Sequence, residues 1–138
     1  MKHTINIDTT IAAPASLVWQ YFTAPQHITQ WNFATPDWQC PSAENDLKPG
    51  GKYKARMEAK DGSFGFDFEA VYDEVVTHKK LAYTITDGRK VVTQLEPVAD
   101  STRISTTFEA EDQHSPELQR AGWQAILDNF KNYAEAQQ

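Results

Sequence analysis

The final stretch of the chain, residues 115–136, predicts one long amphipathic helix that the rest of the fold has to cover. Ser115 is a good N-cap because its hydroxyl can accept a hydrogen bond from a free backbone N–H, and Pro116 follows where a missing N–H costs nothing. Apolar residues recur at spacings of three and four and therefore share one face. They are Leu118, Gly122, Trp123, Ile126, Phe130 and Tyr133, opposite Arg120, Gln124, Asp128 and Lys131. At about 1.5 Å per residue the helix is roughly 33 Å long and needs a broad apolar partner.

Alternating strands elsewhere in the chain can supply that partner. Residues 2–11 alternate apolar and polar side chains, which is typical of a half-buried strand. Between residues 52 and 108 five further strands alternate in the same way, and two of their turns carry the hairpin signals Asp61-Gly62 and Asp87-Gly88. We therefore predict a six-stranded antiparallel sheet in which each strand has one apolar and one polar face.

Two short helices and an irregular segment separate the first predicted strand from the others. Residues 15–23 and 26–31 predict the helices, and residues 32–51 show no regular pattern. Long loops are uncommon in compact domains and are usually functional or disordered. This one contains Phe33, Trp38 and Cys40 among three prolines and directly follows Trp31. Its aromatic residues favour a packed lid.

Length and charge limit the classes of partner. The 138 residues favour one domain, 1–138, and the net charge of −6 argues against nucleic acid and against anionic membrane surfaces. No stretch approaches the roughly 20 apolar residues of a membrane span, and the first residues lack the apolar core of a signal peptide. The single cysteine, Cys40, cannot form an internal disulfide, which suits a reducing compartment. We expect a cytoplasmic protein.

Three parts of the sequence carry a family resemblance. They are Ile11-Ala-Ala-Pro14 with Val18, Trp19 and Phe22; His27-Ile-Thr-Gln-Trp31 with Trp38-Gln-Cys40-Pro41 and Asp46-Leu-Lys-Pro-Gly-Gly51; and Gly122-Trp-Gln-Ala-Ile-Leu-Asp-Asn-Phe130. Together they resemble the START-like (SRPBCC) helix-grip superfamily, with its Bet v 1-like fold, over essentially the whole chain. Within it they are similar to the group named for the activator of heat-shock-protein-90 ATPase.

The resemblance implies an α+β helix-grip fold. A curved antiparallel sheet, here of six strands, would wrap around the C-terminal helix, with two short helices after the first strand and an apolar cavity in between. The superfamily includes lipid carriers, plant hormone binders and polyketide cyclases, so the fold alone does not fix a function.

Strand alternation predicts what lines this cavity. Apolar positions face inward, which sends acidic residues such as Glu58, Asp67 and Glu69 to the outer face. The inner wall then carries hydroxyls and aromatic rings, whereas acid–base catalysis needs two positioned titratable groups. The four histidines show no paired spacing of the kind that zinc sites use. We therefore predict no catalytic residue, no metal and no cofactor, and we expect Arg56, Arg89 and Arg103 to be solvated on outer faces or turns.

These observations favour a cavity that binds a small hydrophobic or aromatic molecule. The candidate ligand-binding residues are Trp31, Phe33, Trp38, Met57, Phe66, Phe68, Tyr72, Tyr83, Trp123, Ile126 and Phe130. Tyr72, Tyr83 and Asn129 are the candidate polar contacts. Gly122 either allows close approach of a neighbouring element or leaves room for a ligand.

Two other functions stay open at this point. One is a cyclase- or hydrolase-type enzyme that uses His27, Asp37, Cys40 and Tyr83. The other is an interaction module related to the chaperone ATPase activators. The expected partner is a small hydrophobic molecule, with a homodimer and a chaperone contact as open alternatives.

Overall fold

The computed structural model describes residues 3–137. In chain order its elements are β1 (Thr4–Ile11), α1 (Ala15–Thr23), α2 (Pro25–Trp31), β2 (Trp38–Asn45), β3 (Lys52–Ala59), β4 (Gly65–Val76), β5 (Lys80–Ile85), β6 (Lys90–Val98), β7 (Ser101–Glu109) and α3 (Pro116–Ala136). The strands form one antiparallel sheet in the order β1-β7-β6-β5-β4-β3-β2. The α+β fold predicted from the sequence is confirmed, while the predicted start of the first strand at Lys2 and the final residue, Gln138, lie outside the described residues.

The sheet has seven strands where the sequence predicts six. The additional strand is β2, which pairs with β3 inside the segment interpreted as an irregular lid. Its alternation is hidden by Pro41 and by a register irregularity between Gln39 and Ser42. Because proline cannot donate to a strand ladder, it is tolerated on an edge strand, and β2 lies at one end of the sheet.

The turn after β2 requires glycine at one position. Gly51 is buried, and a Cβ added to it would lie 2.1 Å from the carbonyl oxygen of Asp46. The backbone of this turn also bonds to β4, since the N–H of Gly50 and the carbonyl of Gly51 both pair with Tyr72. The segment is thus tied to the sheet by its own main chain.

Helix α3 begins where the sequence predicts. The Ser115 hydroxyl accepts a hydrogen bond from the N–H of Leu118 at 3.1 Å. Farther along the helix, Leu127, Phe130 and Ala134 are buried in the core. These apolar contacts hold α3 against the sheet and the two short helices.

The polar side of α3 contacts the edge of the sheet. Arg120 Nη1 donates to the carbonyl of Asn6 at 2.6 Å, and Gln124 Nε2 donates to the carbonyl of Asp8 at 3.1 Å. Lys131 Nζ reaches the carbonyl of Thr10 in the same strand. Every second carbonyl in this part of β1 therefore accepts a hydrogen bond from α3. Without these contacts, this edge of the sheet could pair with another strand.

The first turn of α3 departs from the predicted apolar face. Leu118 is 59% exposed, whereas Gln119 is buried in its place. The Gln119 amide accepts from the N–H of Glu111 at 2.9 Å and donates to the carbonyl of His114 at 2.8 Å. The buried polar side chain therefore fixes the β7–α3 connection.

No helix in the described part of the chain is both long enough and apolar enough to cross a membrane.

Candidate functional site

A cavity of about 290 Å³ lies between the sheet and α3. Eight of the eleven candidate ligand-binding residues line it: Trp31, Met57, Phe66, Phe68, Tyr72, Tyr83, Trp123 and Ile126. The other described lining residues are not among those candidates; they are Ile7, Phe22, Asn32, Asn45, Tyr53, Leu81, Arg89, Thr93, Thr106 and Leu127. Strand alternation indicates Leu81, Thr93 and Thr106 as lining residues, because each lies two positions along its strand from an apolar residue that faces inward.

The centre of the wall is a cluster of aromatic rings on three neighbouring strands. Tyr83 lies 6.0 Å from Tyr53, 6.2 Å from Phe68 and 6.0 Å from Tyr72, measured between ring centroids. Tyr72 and Tyr83 are direct cross-strand partners on β4 and β5. Their near-perpendicular ring planes are an arrangement that aromatic pairs prefer.

One part of the cavity is polar and internally hydrogen-bonded. The Tyr72 hydroxyl donates to Asn45 Oδ1 at 2.6 Å, and Asn45 Nδ2 donates to the carbonyl of Thr23 at 2.7 Å. Asn32 Nδ2 makes a longer contact of 3.5 Å to the Tyr53 hydroxyl. Both asparagines belong to residues 32–51, where no regular pattern in the sequence indicates which side chains face inward.

The tyrosines of the wall are neutral at physiological pH. Burial raises the pKa of Tyr53 well above its usual value, and it raises the pKa of Tyr72 and Tyr83 in the same direction. A neutral phenol can donate as well as accept a hydrogen bond. The cavity therefore offers hydroxyl groups for orienting a ligand within an otherwise apolar wall.

Arg89 is placed differently from the sequence prediction. It lines the cavity, and its side chain is only 19% exposed. By contrast, Arg103 and Arg56 pair with acidic side chains on the outer face, as expected. Arg89 is spaced two residues from the buried Val91, so strand alternation already contained the signal that its side chain turns inward.

Three candidate residues lie outside the described cavity wall. Phe130 is fully buried between Trp31 and Phe22, with ring centroids 4.9 Å and 5.1 Å away, so it belongs to the solid core. Trp38 packs instead against two aromatic residues, one just before β4 and one at its start. Phe33 is half-buried, and its carbonyl accepts a hydrogen bond from Asn129 at 3.4 Å.

Asn129 differs from expectation, and one of the two explanations offered for Gly122 is excluded. Asn129 Nδ2 donates to the carbonyl of Trp31 at 2.8 Å, so it fastens the α2–β2 connection to α3 rather than lining the cavity. A Cβ added to Gly122 would meet nothing within 4 Å. The close-approach explanation for this glycine is therefore wrong, and the space beside it is open.

The residues of the enzyme hypothesis do not converge on one place. Among them only Tyr83 lines the cavity within the described residues. His27 Nδ1 is 2.6 Å from the Tyr133 hydroxyl, and Asp37 accepts from Thr35 in an exposed turn. Cys40 is buried, and burial raises the pKa of its thiol. Within residues 3–137, no group of three or more His, Cys, Asp or Glu side chains is arranged to hold a metal ion.

A sheet that holds a long C-terminal helix across an apolar cavity defines the helix-grip class of protein. The family described as "Activator of Hsp90 ATPase homolog 1-like protein" matches residues 12–135, and the chain belongs to this family. No curated protein matches the chain.

Solved structures agree with this assignment. The chain is 40% identical to the AHSA1-like protein from Aeromonas hydrophila, with a TM-score of 0.92 over 98% of this chain and 94% of that one. It is 46% identical to Chr148 from Cytophaga hutchinsonii, with a TM-score of 0.84 over 97% and 93% of the two chains. Protein NE0264 from Nitrosomonas europaea, at 21% identity and a TM-score of 0.80 over 97% and 95%, shares the fold.

Proposed function

We propose that this protein binds a small hydrophobic or aromatic molecule in the cavity between the sheet and α3. The observation that supports the proposal most directly is the cavity itself, with its cluster of aromatic rings on β3, β4 and β5. Small-molecule sites in proteins are typically concave and mostly apolar, with a few polar groups that fix orientation. Apolar burial, at about 25 cal/mol per Å², supplies the affinity.

The cavity volume limits the size of the ligand. At about 290 Å³ the cavity lies at the lower end of the roughly 300–1,000 Å³ range of small-molecule sites. One or two fused aromatic rings fit this limit better than a long lipid chain. We place the protein in the cytoplasm, where the thiol of the buried, unpaired Cys40 stays reduced.

A neutral aromatic probe tests the proposal. We expect 1-naphthaleneacetamide to bind the wild-type protein with a stoichiometry of about one in isothermal titration calorimetry, since one cavity of matching size is proposed. Ile126→Trp fills the cavity from α3 and should abolish binding. Leu118→Trp adds the same bulk at an exposed position of the same helix and should leave binding unchanged.

Native mass spectrometry of protein purified from its own host is the independent measurement. A retained small molecule would appear as added mass on the wild-type protein and not on Ile126→Trp. If no mass is retained and no aromatic compound of this size binds the folded protein, the proposal fails.

A second candidate function is contact with a chaperone ATPase, which the description of the family names. The structural observation that favours it is a rim aromatic group formed by Trp38, Phe64 and Phe66. Phe64 is 60% exposed and Phe66 is 41% exposed, and the ring centroids lie 6.0 to 6.3 Å apart. Capture of an Hsp90-type chaperone by the wild type but not by Phe64→Ser would support this function. Failure of the wild-type protein to capture the chaperone or change its ATPase rate would exclude it.

A further inference from the structure

We infer that the cavity selects an anion: a small aromatic or aliphatic carboxylic acid whose carboxylate pairs with Arg89. This inference deepens the proposed function and rests on it. Arg89 is the only residue with a full charge at neutral pH among the described residues that line the cavity. A largely hydrophobic ligand with one carboxylate would match a wall that is apolar except for one cation, two side-chain amides and several neutral hydroxyls.

The β5–β6 hairpin fixes the position of Arg89. The residue directly follows the Asp87-Gly88 turn, and its carbonyl accepts a hydrogen bond from the N–H of Ile85 at 2.8 Å. The Arg89 N–H donates to Asp87 Oδ1 at 3.1 Å, and Nε donates to Asp87 Oδ2 at 2.8 Å. Nη1 makes a longer contact of 3.5 Å to the carbonyl of Glu109 on β7. The guanidinium is therefore held in place before any ligand arrives.

The paired carboxylate does not saturate this guanidinium. A guanidinium has five N–H donors in a rigid planar fork, and the two side-chain contacts described above use two of them. Asp87 is 53% exposed while Arg89 is 19% exposed, so water screens the acid more than the base. A ligand carboxylate could therefore bind on the cavity side while Asp87 keeps its contact with Nε.

The charge of Arg89 also acts inside the cavity. It lowers the pKa of Tyr83, against the larger effect of burial, which raises that pKa. The net result keeps the Tyr83 hydroxyl protonated and able to donate. A carboxylate placed beside Arg89 would thus have a second donor within the aromatic cluster.

The competing explanation is that Arg89 only secures the hairpin. The two roles differ in what they predict for ligands of equal shape. A structural role would weaken charged and neutral ligands alike when Arg89 is replaced. A role in anion selection would weaken the charged one more than the neutral one.

Two probes of nearly the same shape separate these roles. We expect 1-naphthaleneacetate to bind the wild-type protein at least about tenfold more tightly than 1-naphthaleneacetamide at pH 7.5, because a charge-assisted hydrogen bond is stronger than a neutral one. Arg89→Gln should remove that preference by weakening the acetate more than the amide, since it keeps a polar side chain without the charge. Arg89→Lys should retain part of the preference. Arg103→Gln, on the outer face, is the matched control and should change neither affinity.

Each outcome of the calorimetric comparison decides something. Equal wild-type affinity for acid and amide, or tighter binding of the amide, overturns the inference and leaves the proposed function standing. Equal loss of both ligands in a folded Arg89→Gln also overturns it, because Arg89 would then be structural. If neither probe binds, the inference fails, and native mass spectrometry then decides the proposed function. The wild-type comparison needs no variant, so a missing preference for the acid overturns the inference even if Arg89→Gln does not fold.

Discussion

The indole ring of Trp123 on α3 stacks face to face on the ring of Phe108 on β7, with the centroids 4.0 Å apart and the planes 10° apart. Phe108 is fully buried in the sheet, and Trp123 also lines the cavity. One side of this pair therefore belongs to the core and the other to the candidate site. The stack sets how close the helix comes to the sheet at the point where the cavity opens between them.

Trp123→Ala should destabilise the protein by about 2 to 3 kcal/mol. Replacing a fully buried Phe or Trp by Ala costs roughly 3 to 5 kcal/mol, and Trp123 is only partly buried, so a smaller loss is expected. Urea unfolding measures the loss. Leu118→Ala in the exposed first turn of the same helix should cost less than about 0.5 kcal/mol. Similar losses in the two variants would show that the stack does not hold the helix.

Gly122→Ala should stabilise the protein by about 0.5 to 1 kcal/mol. Glycine inside a helix costs about that much relative to alanine, and the added Cβ meets nothing within 4 Å. Thermal or urea unfolding provides the measurement. Gly51→Ala is the opposite case, because its Cβ would lie 2.1 Å from a backbone oxygen of Asp46, and it should be strongly destabilising. A loss of stability in Gly122→Ala would contradict the open space seen beside α3.

High pH should destabilise the protein through its buried tyrosines. Burial raises the pKa of Tyr53, Tyr72 and Tyr83 above the usual value of about 10, so the folded state keeps protons that the unfolded chain releases. Their contribution is fully present below about pH 10 and is lost as the pH rises beyond it, since the unfolded state then binds fewer protons.

Ultraviolet titration near 295 nm checks this directly. The folded protein should ionise fewer tyrosines at pH 11 than the same protein in guanidinium chloride, and the free energy of unfolding should fall between pH 10 and 11. Tyr83→Phe should make that fall shallower. Identical titration curves for the folded and unfolded protein would refute the burial argument.

Local sequence periodicity predicts most of the fold, because such a pattern depends only on residues that lie close together in the chain. The N-cap at Ser115, the helix face around Phe130 and the two Asp-Gly hairpins depend on neighbours a few residues away, and the structure confirms them. Strand β2 was missed because Pro41 and the adjacent register irregularity break the two-residue period. No local rule could show that this stretch pairs with β3.

The candidate site is harder to predict where a side chain hydrogen-bonds to the backbone of a segment that is distant in the sequence. Gln119 is buried because it bonds to the loop before α3, and Asn129 is drawn to the carbonyl of Trp31, 98 residues earlier. The position of Arg89 directly after a turn favours solvent exposure, whereas its two-residue spacing from Val91 indicates the inner face. The binding role of the lining residues stays a prediction.

Phe64 and Phe66 provide the last test, because they are neighbours on one hairpin with different relations to the cavity. Phe66 lines it, whereas Phe64 belongs only to the rim aromatic group in the described structure. Phe66→Ala should weaken binding of 1-naphthaleneacetamide by about fivefold, as expected for losing roughly 40 Å² of apolar contact at 25 cal/mol per Å². Phe64→Ala removes the same ring from an exposed position and should leave the affinity unchanged. Calorimetric titration of both variants, with circular dichroism to confirm folding, measures the difference. Equal effects of the two substitutions would mean that the probe binds to the rim instead of entering the cavity.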